Sequence, residues 1–288
     1  MSKQEIVFII NPIAGKGKNN IEKDIIDTFA LTDFIPIIEK TERKHHAKEL
    51  VNMHLSNGIR HFVAVGGDGT VNEIAGQLIN TDAKLSIIPI GSGNGLARTL
   101  GIPLNVKGAF NKILENRFKI IDSGKINGLP FFCTAGVGFD AKCAEQFDKN
   151  PNGRGLWNYI KVILTNYFKF NIQIGKLNEQ DTAYFSITFA NANQFGNNAF
   201  IAPDAMIDDQ HLDCTIILNH PKYFGFIMGY LLMTKKIRNS KYVEYYRAKL
   251  FNFQSKQNLL IHIDGESIEL LSDTIEAICV PNSLIVNI

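Results

Sequence analysis

Acidic and amide side chains stand among glycines in two short segments of the sequence. Residues 65–73 read VGGDGTVNE, and residues 91–98 read GSGNGLAR. Glycine lets a backbone approach an anion closely, and the free N–H groups of a following helix bind phosphate. Asp68 would repel a phosphate unless a divalent cation or a substrate proton lay between them, although Asp also favours turns and caps. We therefore predict a nucleotide site in which Asp68 handles a metal ion or a hydroxyl and Thr70 caps the helix.

A third glycine-rich turn lies near the N-terminus, where NPIAGKGK begins at Asn11 and includes Lys16. Its spacing differs from the GxxxxGK[ST] pattern of a Walker A loop, which disfavours a P-loop NTPase. The turn is either an anion-binding loop or a tight connection. In the GSGNGLAR turn, Ser92 and Asn94 can hydrogen-bond a nucleotide. Arg98 is there either a phosphate ligand or a solvated helix residue.

The elements that position these turns alternate between short apolar runs and amphipathic segments. The pattern predicts strands over residues 5–10, 35–39, 61–65 and 85–90, and helices over residues 20–31, 43–56 and 70–79. Strand–turn–helix units of this kind form parallel sheets covered by helices on both faces. The three turns would then meet at the carboxyl edge of one sheet, where such sheets bind ligands.

The pattern changes after about residue 121. Here the sequence predicts strands over residues 170–174, 182–190, 213–218, 244–253 and 259–264, and helices over residues 156–168 and 223–237. We therefore expect an α/β domain over residues 1–121 and an antiparallel, β-rich domain over residues 122–288. The final segment is a candidate to return to the first domain.

The composition excludes several classes of function. A net charge of +2 with 20% charged residues gives no reason to expect nucleic-acid binding. The four cysteines are scattered without CxxC spacing, so we expect reduced cysteines in a cytoplasmic protein. The longest apolar stretch, residues 223–233, is about half the length of a membrane-spanning helix. Any membrane contact is expected to be peripheral.

Taken in order, the motifs NPxAGKG, GGDGTVNE, GSGN, GVGFDA and DGE closely resemble the diacylglycerol kinase catalytic-domain family, which includes bacterial lipid kinases and sphingosine and ceramide kinases. The resemblance covers nearly the whole chain. It implies an N-terminal domain of the NAD-kinase-like type with a parallel sheet, a C-terminal antiparallel β-sandwich, and an active site in the cleft between them. It also implies transfer of a phosphoryl group from ATP, with Mg²⁺, to a lipid hydroxyl.

The resemblance assigns nucleotide contacts to Thr41, which fits a Thr-x5-Ala pattern, to Ser92, and to residues 66–72. With the residues of the turns described above, the predicted ATP ligands are Asn11, Lys16, Thr41, Gly66, Gly67, Asp68, Gly69, Thr70, Val71, Asn72, Ser92 and Asn94.

Two acids are candidates for the base that takes the proton from the lipid hydroxyl. Glu266 matches the glutamate that has this role in the family, whereas Asp68 matches the position considered the base in sphingosine kinases. Without the resemblance, the Asp264-Gly265-Glu266 sequence would read as an ordinary hairpin turn. Asp122 matches an aspartate that supports the active site.

A structural Mg²⁺ loop of the family corresponds to residues 206–213, which read MIDDQHLD. Asp209 would supply a side-chain ligand, with backbone carbonyls from Met206 and His211. Gln210 stands where the family usually has glycine, and His211 where it has an apolar residue. These departures place the conformation of the loop and its metal in question.

Residues 223–233 are followed by Lys235, Lys236, Arg238 and Lys241. Apolar and basic residues together are typical of a membrane-docking element, but a core helix with a solvated basic end explains the same pattern. Two other functions stay open, an NAD kinase and a catalytically silent nucleotide-binding regulator. A homodimer also stays open.

Overall fold

We describe the protein from a computed structural model, in which residues 3–15, 20–149, 156–256 and 259–288 are described. The chain forms two compact units. The first comprises Met1–Ile121 with Asn282–Ile288, and the second comprises Asp122–Pro281. In the described ranges, no helix combines the length and the apolar character needed to cross a membrane.

The first unit contains a parallel sheet. Its strands are β1 (Gln4–Ile10), β2 (Phe34–Lys40), β3 (His61–Gly66), β4 (Lys84–Pro89) and the last residues of β15 (Thr274–Asn287). The strands lie in the order β2-β1-β3-β4-β15, and every pair is parallel. All six residues of β3 are buried, as expected for a central strand covered on both faces.

Among the residues that the structure describes, the helices that accompany these strands are α1 (Ile21–Phe29), α2 (His46–Ser56), α3 (Asp68–Leu78), α4 (Gly95–Thr99) and α5 (Val106–Glu115). Helix α1 buries Ile21, Ile25 and Phe29, which are spaced four residues apart and so share one face. Phe29 contacts the Phe8 ring of β1 edge to face, with 5.1 Å between the centroids. The prediction of a parallel α/β domain is confirmed.

The second unit is built mainly from antiparallel strands. Along the chain these are β5 (Phe118–Ile126), β6 (Leu129–Phe131), β7 (Thr134–Gly138), β8 (Gln173–Leu177), β9 (Gln180–Ala190), β10 (Leu212–Leu218), β11 (Val243–Ala248), β12 (Leu250–Ser255), β13 (Leu259–Ile263), β14 (Glu266–Leu270) and the first part of β15. Strand β9 pairs with β8 near its start and with both β7 and β10 nearer its end. The prediction of an antiparallel sandwich is confirmed.

Within the described ranges of the second unit, the helices are α6 (Phe139–Asp148), α7 (Leu156–Tyr167) and α8 (Gly225–Met233). They cover a cluster of buried residues that includes Phe139 of α6, Tyr167 of α7 and Met228 of α8. A separate apolar core lies among the strands and includes Tyr184, Phe189 and Phe251. The unit therefore has one core among its strands and another beneath its helices.

Three predicted elements of the second unit differ from the structure. The single strand over residues 244–253 is wrong, because β11 ends at Ala248 and β12 begins at Leu250. Strand β11 pairs with β10, whereas β12 pairs with β8 and β15. Strand β8 begins at Gln173, three residues later than predicted. The helix predicted over residues 223–237 ends at Met233, with short 3₁₀ turns before and after it.

Gly124 of β5 provides a test of packing next to Asp122. Gly124 lies opposite Phe131, and a Cβ atom on Gly124 would stand 2.0 Å from the Phe131 ring. Phe131 is fully buried and has no room to retreat. We expect Gly124→Ala to lower the free energy of unfolding by about 1–3 kcal/mol through overpacking, measured by urea denaturation.

Gly229→Ala is the matched control in the same unit. A Cβ atom on Gly229 meets no other atom within 4 Å, and the residue lies inside helix α8. Alanine should therefore be neutral or stabilising there, by up to about 1 kcal/mol. Equal stability for the two variants would contradict the packing described for Gly124.

Candidate active site

Asn11 connects the first glycine-rich turn to helix α3. The Asn11 side chain accepts a hydrogen bond from the Ile13 N–H (3.0 Å) and donates one to the Thr70 hydroxyl (3.1 Å). The Asn11 N–H donates to the carbonyl of Val65, at the end of β3 (3.0 Å). The side chain therefore shapes its own turn and holds it against the second one. Lys16 lies outside the described residues.

The second turn ends in an unusual helix start. Gly67 is the N-cap of α3, the helix begins at Asp68, and no side chain caps it. The prediction that Thr70 caps this helix is wrong, because Thr70 is a buried residue inside the first turn of α3. A helix end without a side-chain cap leaves backbone N–H groups for an anion. The local geometry therefore suits a phosphate group.

Close packing explains why three positions in these turns are glycine. A Cβ atom on Gly91 would lie 2.4 Å from the Gly67 Cα atom, and one on Gly66 would lie 2.4 Å from the Thr70 hydroxyl. Gly15 has a φ of 70° and lies beside the Ile90 carbonyl. Packing within the chain thus requires glycine at these three positions, whether or not a ligand binds.

Asp68 joins the second turn to the third. The two oxygens of its carboxylate accept hydrogen bonds from the backbone N–H groups of Asn94 (2.8 Å) and Gly95 (2.7 Å). Gly95 is the first residue of α4, and Asn94 precedes it in the left-handed conformation, with a φ of 55°. The Asp68 carboxylate therefore caps α4 across 27 residues of sequence. This role resembles the turn-and-cap role that the sequence also allowed.

The third turn is held from within by two further side chains. The Asn94 amide donates to the Gly91 carbonyl (2.8 Å), and the Arg98 Nε donates to the Gly93 carbonyl (2.9 Å). The Asn94 Oδ1 atom is buried and accepts no hydrogen bond from the described protein. Buried polar atoms nearly always have a partner, so this oxygen suits a ligand donor. Ser92 is exposed at the tip of the turn.

The segment after β2 carries Thr41 to the same edge of the sheet. The Thr41 N–H donates to the carbonyl of Ile10, the last residue of β1 (2.9 Å). The Glu73 carboxylate of α3 accepts the N–H of His45 (3.0 Å), which anchors the segment that follows Thr41. Sequence reasoning assigned no role to Glu73, although it ends the VGGDGTVNE motif.

The predicted ATP ligands that lie in the described ranges are therefore found at one edge of the sheet in the first unit. Hydrogen bonds or direct packing connect Asn11, Thr41, Gly66, Gly67, Asp68, Thr70 and Asn94, and Gly69, Val71 and Asn72 follow in α3. This group can present backbone N–H groups, an amide oxygen and hydroxyl groups to a nucleotide.

In the second unit, Asp264 fixes the hairpin between β13 and β14. Asp264 and Gly265 form the two-residue turn, with φ angles of 47° and 88°. The Asp264 carboxylate accepts backbone N–H groups from Phe132 (2.9 Å), Cys133 (2.8 Å) and Thr134 (3.1 Å). The hairpin turn is thereby held to the residues that begin β7. The Asp-Gly pair signals a hairpin in the sequence, but the sequence gives no sign of these distant partners.

Glu266 is the first residue of β14 and lies opposite Ile263 of β13. The two central residues of the turn are Asp264 and Gly265. Glu266 is half-buried and directly follows this turn, which is fixed at several points. Glu266 is therefore a candidate reacting group that lies beside the turn and not within it.

The GVGFDA motif seats β7 against β9. A Cβ atom on Gly136 would lie 2.2 Å from the Ile187 carbonyl oxygen, and Gly138 has a φ of 96°. The Asp140 carboxylate at the start of α6 accepts the Thr188 hydroxyl (2.8 Å). Desolvation by the surrounding protein raises the pKa of Asp140 to about 6. The motif is therefore part of the framework behind the DGE hairpin.

Asp122 supports the loop that resembles a structural Mg²⁺ site. Its carboxylate is fully buried and accepts the Gln210 N–H (2.6 Å), and its own N–H donates to the Ile207 carbonyl (2.8 Å). Gln210 has a φ of 65°, the left-handed conformation that glycine adopts most easily. The chain therefore reaches this conformation without glycine, at a cost of roughly 1–2 kcal/mol.

The donor groups of this loop fit a metal ion poorly. One Asp209 oxygen accepts the His211 N–H (3.0 Å), and the other pairs with the Arg247 guanidinium. The Asp209 carbonyl accepts the His211 Nδ1 (2.7 Å), whereas Met206 is about half exposed. In the described ranges, no group of three His, Cys, Asp or Glu side chains is arranged to hold a metal. Arg247 supplies the positive charge that balances Asp209.

Asp68→Asn tests the connection between the second and third turns. The substituted amide would point an NH₂ group at one of the two backbone donors. We expect the free energy of unfolding to fall by about 1–3 kcal/mol and nucleotide affinity to weaken, measured by urea denaturation and calorimetry. Asp27→Asn, at an exposed position of α1, is the control, and an equal effect in both variants would contradict the role of Asp68.

Removal of divalent ions tests the loop around Asp209. Because Arg247 already balances the carboxylate, we expect the same Tm in EDTA and in Mg²⁺ when nucleotide is absent. Arg247→Met should lower Tm by roughly 2–4 °C, for a loss of about 1 kcal/mol. Lys249→Met, at an exposed position two residues away, is the control. A fall of the wild-type Tm in EDTA that Mg²⁺ reverses would show that a metal holds the loop.

Comparisons with known proteins agree with this arrangement. The family model for the diacylglycerol kinase catalytic domain matches residues 5–126, and that for the YegS C-terminal NAD kinase beta sandwich-like domain matches residues 133–288. A Pseudomonas syringae pv. syringae protein named "Probable lipid kinase YegS-like" is 31% identical over 88% of this chain and 80% of its own length. A Synechocystis protein is 29% identical over 96% of this chain, which spans 65% of that relative.

Solved structures share the fold. The crystal structure of a diacylglycerol kinase from Bacillus anthracis str. Sterne has a TM-score of 0.74 and 20% identity, over 99% of this chain and 96% of that one. Another crystal structure from the same organism reaches a TM-score of 0.81, also at 20% identity, over 100% of this chain and 96% of that one. Matches to both family models, over almost the full length, and this fold show that the chain belongs to the diacylglycerol kinase catalytic-domain family, among the YegS-like lipid kinases.

Proposed function

We propose that this protein transfers the γ-phosphate of ATP to the hydroxyl group of a lipid, either diacylglycerol-like or sphingoid. The observation that carries the proposal is the fixed Asp264–Gly265 turn, which starts β14 at a half-buried Glu266 in the family's DGE motif. Family membership supports the kinase class and the lipid acceptor. A transfer assay with a panel of acceptors distinguishes the lipids.

The first unit supports ATP as the phosphate donor. The start of α3 has no side-chain cap, and the buried Asn94 Oδ1 has no partner in the described protein. The first feature suits phosphate oxygens, and the second suits a donor group of a nucleoside. The turns are already tied together by the Asn11 and Asp68 hydrogen bonds, so little ordering should be needed when ATP binds.

Phosphoryl transfer asks a protein mainly for positioning and for stabilisation of charge. In the proposed reaction, the hydroxyl oxygen of the lipid forms a bond to the γ-phosphorus of ATP, and ADP leaves. The Glu266 carboxylate accepts the proton of that hydroxyl at the same time. Mg²⁺, when bound with ATP, would neutralise charge on the phosphate oxygens. Backbone N–H groups at the start of α3 would hold the phosphates in place.

Asp68 has a different role in this proposal. Its two oxygens already accept the N–H groups of Asn94 and Gly95, so it orders the third turn. A carboxylate committed in this way favours a positioning role. With Asp68 committed, the match of Glu266 to the family's DGE motif supports Glu266 as the base.

NAD is the principal rival acceptor, because the C-terminal family model is described as NAD kinase-like. A nucleotide-binding regulator without catalysis is the second rival.

Since ATP is a cytoplasmic metabolite, we propose that the reaction takes place in the cytoplasm or at the inner face of the membrane.

A transfer assay with labelled ATP separates these functions. The acceptors are diacylglycerol, sphingosine, ceramide, phosphatidylglycerol and NAD, each supplied with Mg²⁺. We expect label in one or more of the lipids and none in NADP. Label confined to NADP would refute the lipid kinase proposal, and ATP binding without any transfer would favour the regulator.

Glu266→Gln tests the base. The amide keeps the size of the side chain but does not accept the proton, so we expect the transfer rate to fall by about 10²–10⁴-fold while ATP affinity changes little. Glu269→Gln is the control, since Glu269 lies three residues along β14 and is exposed. Full activity of Glu266→Gln would assign the base role to Asp68 instead.

A further inference from the structure

Helix α8 is apolar around its whole circumference. Its nine residues read GFIMGYLLM, and the Tyr230 hydroxyl is the sole polar side-chain group among them. A helix of this kind normally lies in a protein core or in contact with lipid. With nine residues, its length is roughly 14 Å, about half of a bilayer's hydrocarbon thickness.

Only part of α8 is buried by the protein. Met228 is buried, and Leu231 and Leu232 pack against the cluster beneath the helices. The rest of the helix faces outward with large apolar side chains. The exposed fractions are 70% for Phe226, 61% for Tyr230 and 65% for Met233.

Neighbouring segments extend this exposed area. Tyr223 comes just before α8 and is 74% exposed, and Leu164 and Phe168, at and just after the end of α7, are 46% and 55% exposed. The two helices lie close together, because a Cβ atom on Gly225 would stand 2.4 Å from the Tyr167 ring. We call the exposed group the α7–α8 surface: Leu164, Phe168, Tyr223, Phe226, Ile227, Tyr230 and Met233.

Basic residues accompany this surface. Residues 156–176 and 219–243 contain seven lysines and one arginine, and neither segment contains Asp or Glu. Lys236 and Lys241 are exposed just beyond α8, and Lys222 donates to the Phe170 carbonyl (2.6 Å). Arg238 is balanced by Asp204. The segments that form the surface therefore carry a net positive charge.

We propose that the α7–α8 surface docks on an anionic lipid bilayer. Exposed aromatic and aliphatic side chains enter the headgroup region, and lysines beside them attract anionic headgroups. The tyrosines Tyr223 and Tyr230 suit this boundary, because each has an apolar ring and a polar hydroxyl. The charge of the surface favours an anionic bilayer over a second copy of the chain, which would bring two positive surfaces together.

Docking rests on the proposed function in one respect, because it would bring the kinase to a lipid acceptor in the bilayer. Binding to vesicles is nevertheless measured without ATP. A failure of docking is therefore distinct from a failure of phosphoryl transfer.

The test is flotation of the full chain with two kinds of vesicle, one of phosphatidylcholine alone and one containing phosphatidylglycerol as well. We expect stronger binding to the anionic vesicles, with the difference reduced by salt. The double variant Phe226→Ser/Tyr230→Ser should lower the partition coefficient at least about tenfold, because it removes two large apolar contacts. Leu271→Ser is the control for apolar loss, since Leu271 is 94% exposed and lies on a different segment.

Charge is tested separately with Lys236→Glu/Lys241→Glu. This variant should lose about tenfold or more in binding to anionic vesicles and little on phosphatidylcholine. Lys256→Glu, at an exposed position in the second unit, should have a much smaller effect. Equal losses in the two charge variants would contradict a local docking surface.

Three other results would overturn the proposal. The first is that wild-type protein does not float with anionic vesicles, and the second is that the Phe226→Ser/Tyr230→Ser variant floats as well as wild type. The third is that vesicle binding is absent and light scattering shows a dimer for the wild type and a monomer for this variant, which would assign the surface to a second copy. Transfer to a short-chain, water-dispersed acceptor should be unchanged in this variant, which keeps docking separate from chemistry.

Discussion

The hydrogen bonds of the Asp68 carboxylate are the interaction on which the candidate nucleotide-binding edge of the first unit depends. It accepts the N–H groups of Asn94 and Gly95, so one side chain at the start of α3 also caps α4. The same two turns pack closely, because a Cβ atom on Gly91 would lie 2.4 Å from the Gly67 Cα atom. Two loops that are separate in sequence therefore behave as one structure. A candidate phosphate-binding surface assembled in this way is already ordered without a ligand.

The second unit uses carboxylates in the same manner. Asp264 accepts three backbone N–H groups from the residues before β7, and Asp122 accepts that of Gln210. Acids that accept several backbone N–H groups hold loops in place because charged hydrogen bonds are stronger than neutral ones. Among the acids of the family motifs, Glu266 lies beside a hairpin turn and not at one of its two central positions. The DGE motif thus joins a positioning acid, Asp264, to a candidate reacting acid, Glu266.

Local patterns predicted much of the fold but few of these connections. Strands β1, β3 and β4 are short buried runs followed by glycine turns, and α1 has a regular apolar face. These patterns were sufficient to predict the parallel sheet from the sequence. The sequence passes from β11 into β12 without glycine or proline, so no turn residue marked the change of partner strand at Lys249. The partners of Asp264 lie at least 130 residues away, and sequence periodicity carries no information at that distance. Thr70 was predicted as a cap from residue preference, yet the cap position is Gly67, which packs closely against Gly91.

The Asp209 loop combines the backbone conformation expected from the family resemblance with side-chain contacts that the resemblance did not predict. Gln210 adopts the left-handed conformation usual for glycine, and the buried Asp122 carboxylate holds its N–H in place. Arg247 then balances Asp209 with a charge that belongs to the chain itself. Because Arg247 belongs to strand β11, this positive charge is supplied by the chain itself. The same loop shape is therefore compatible with two sources of positive charge, and the side chains around Asp209 favour arginine in this protein.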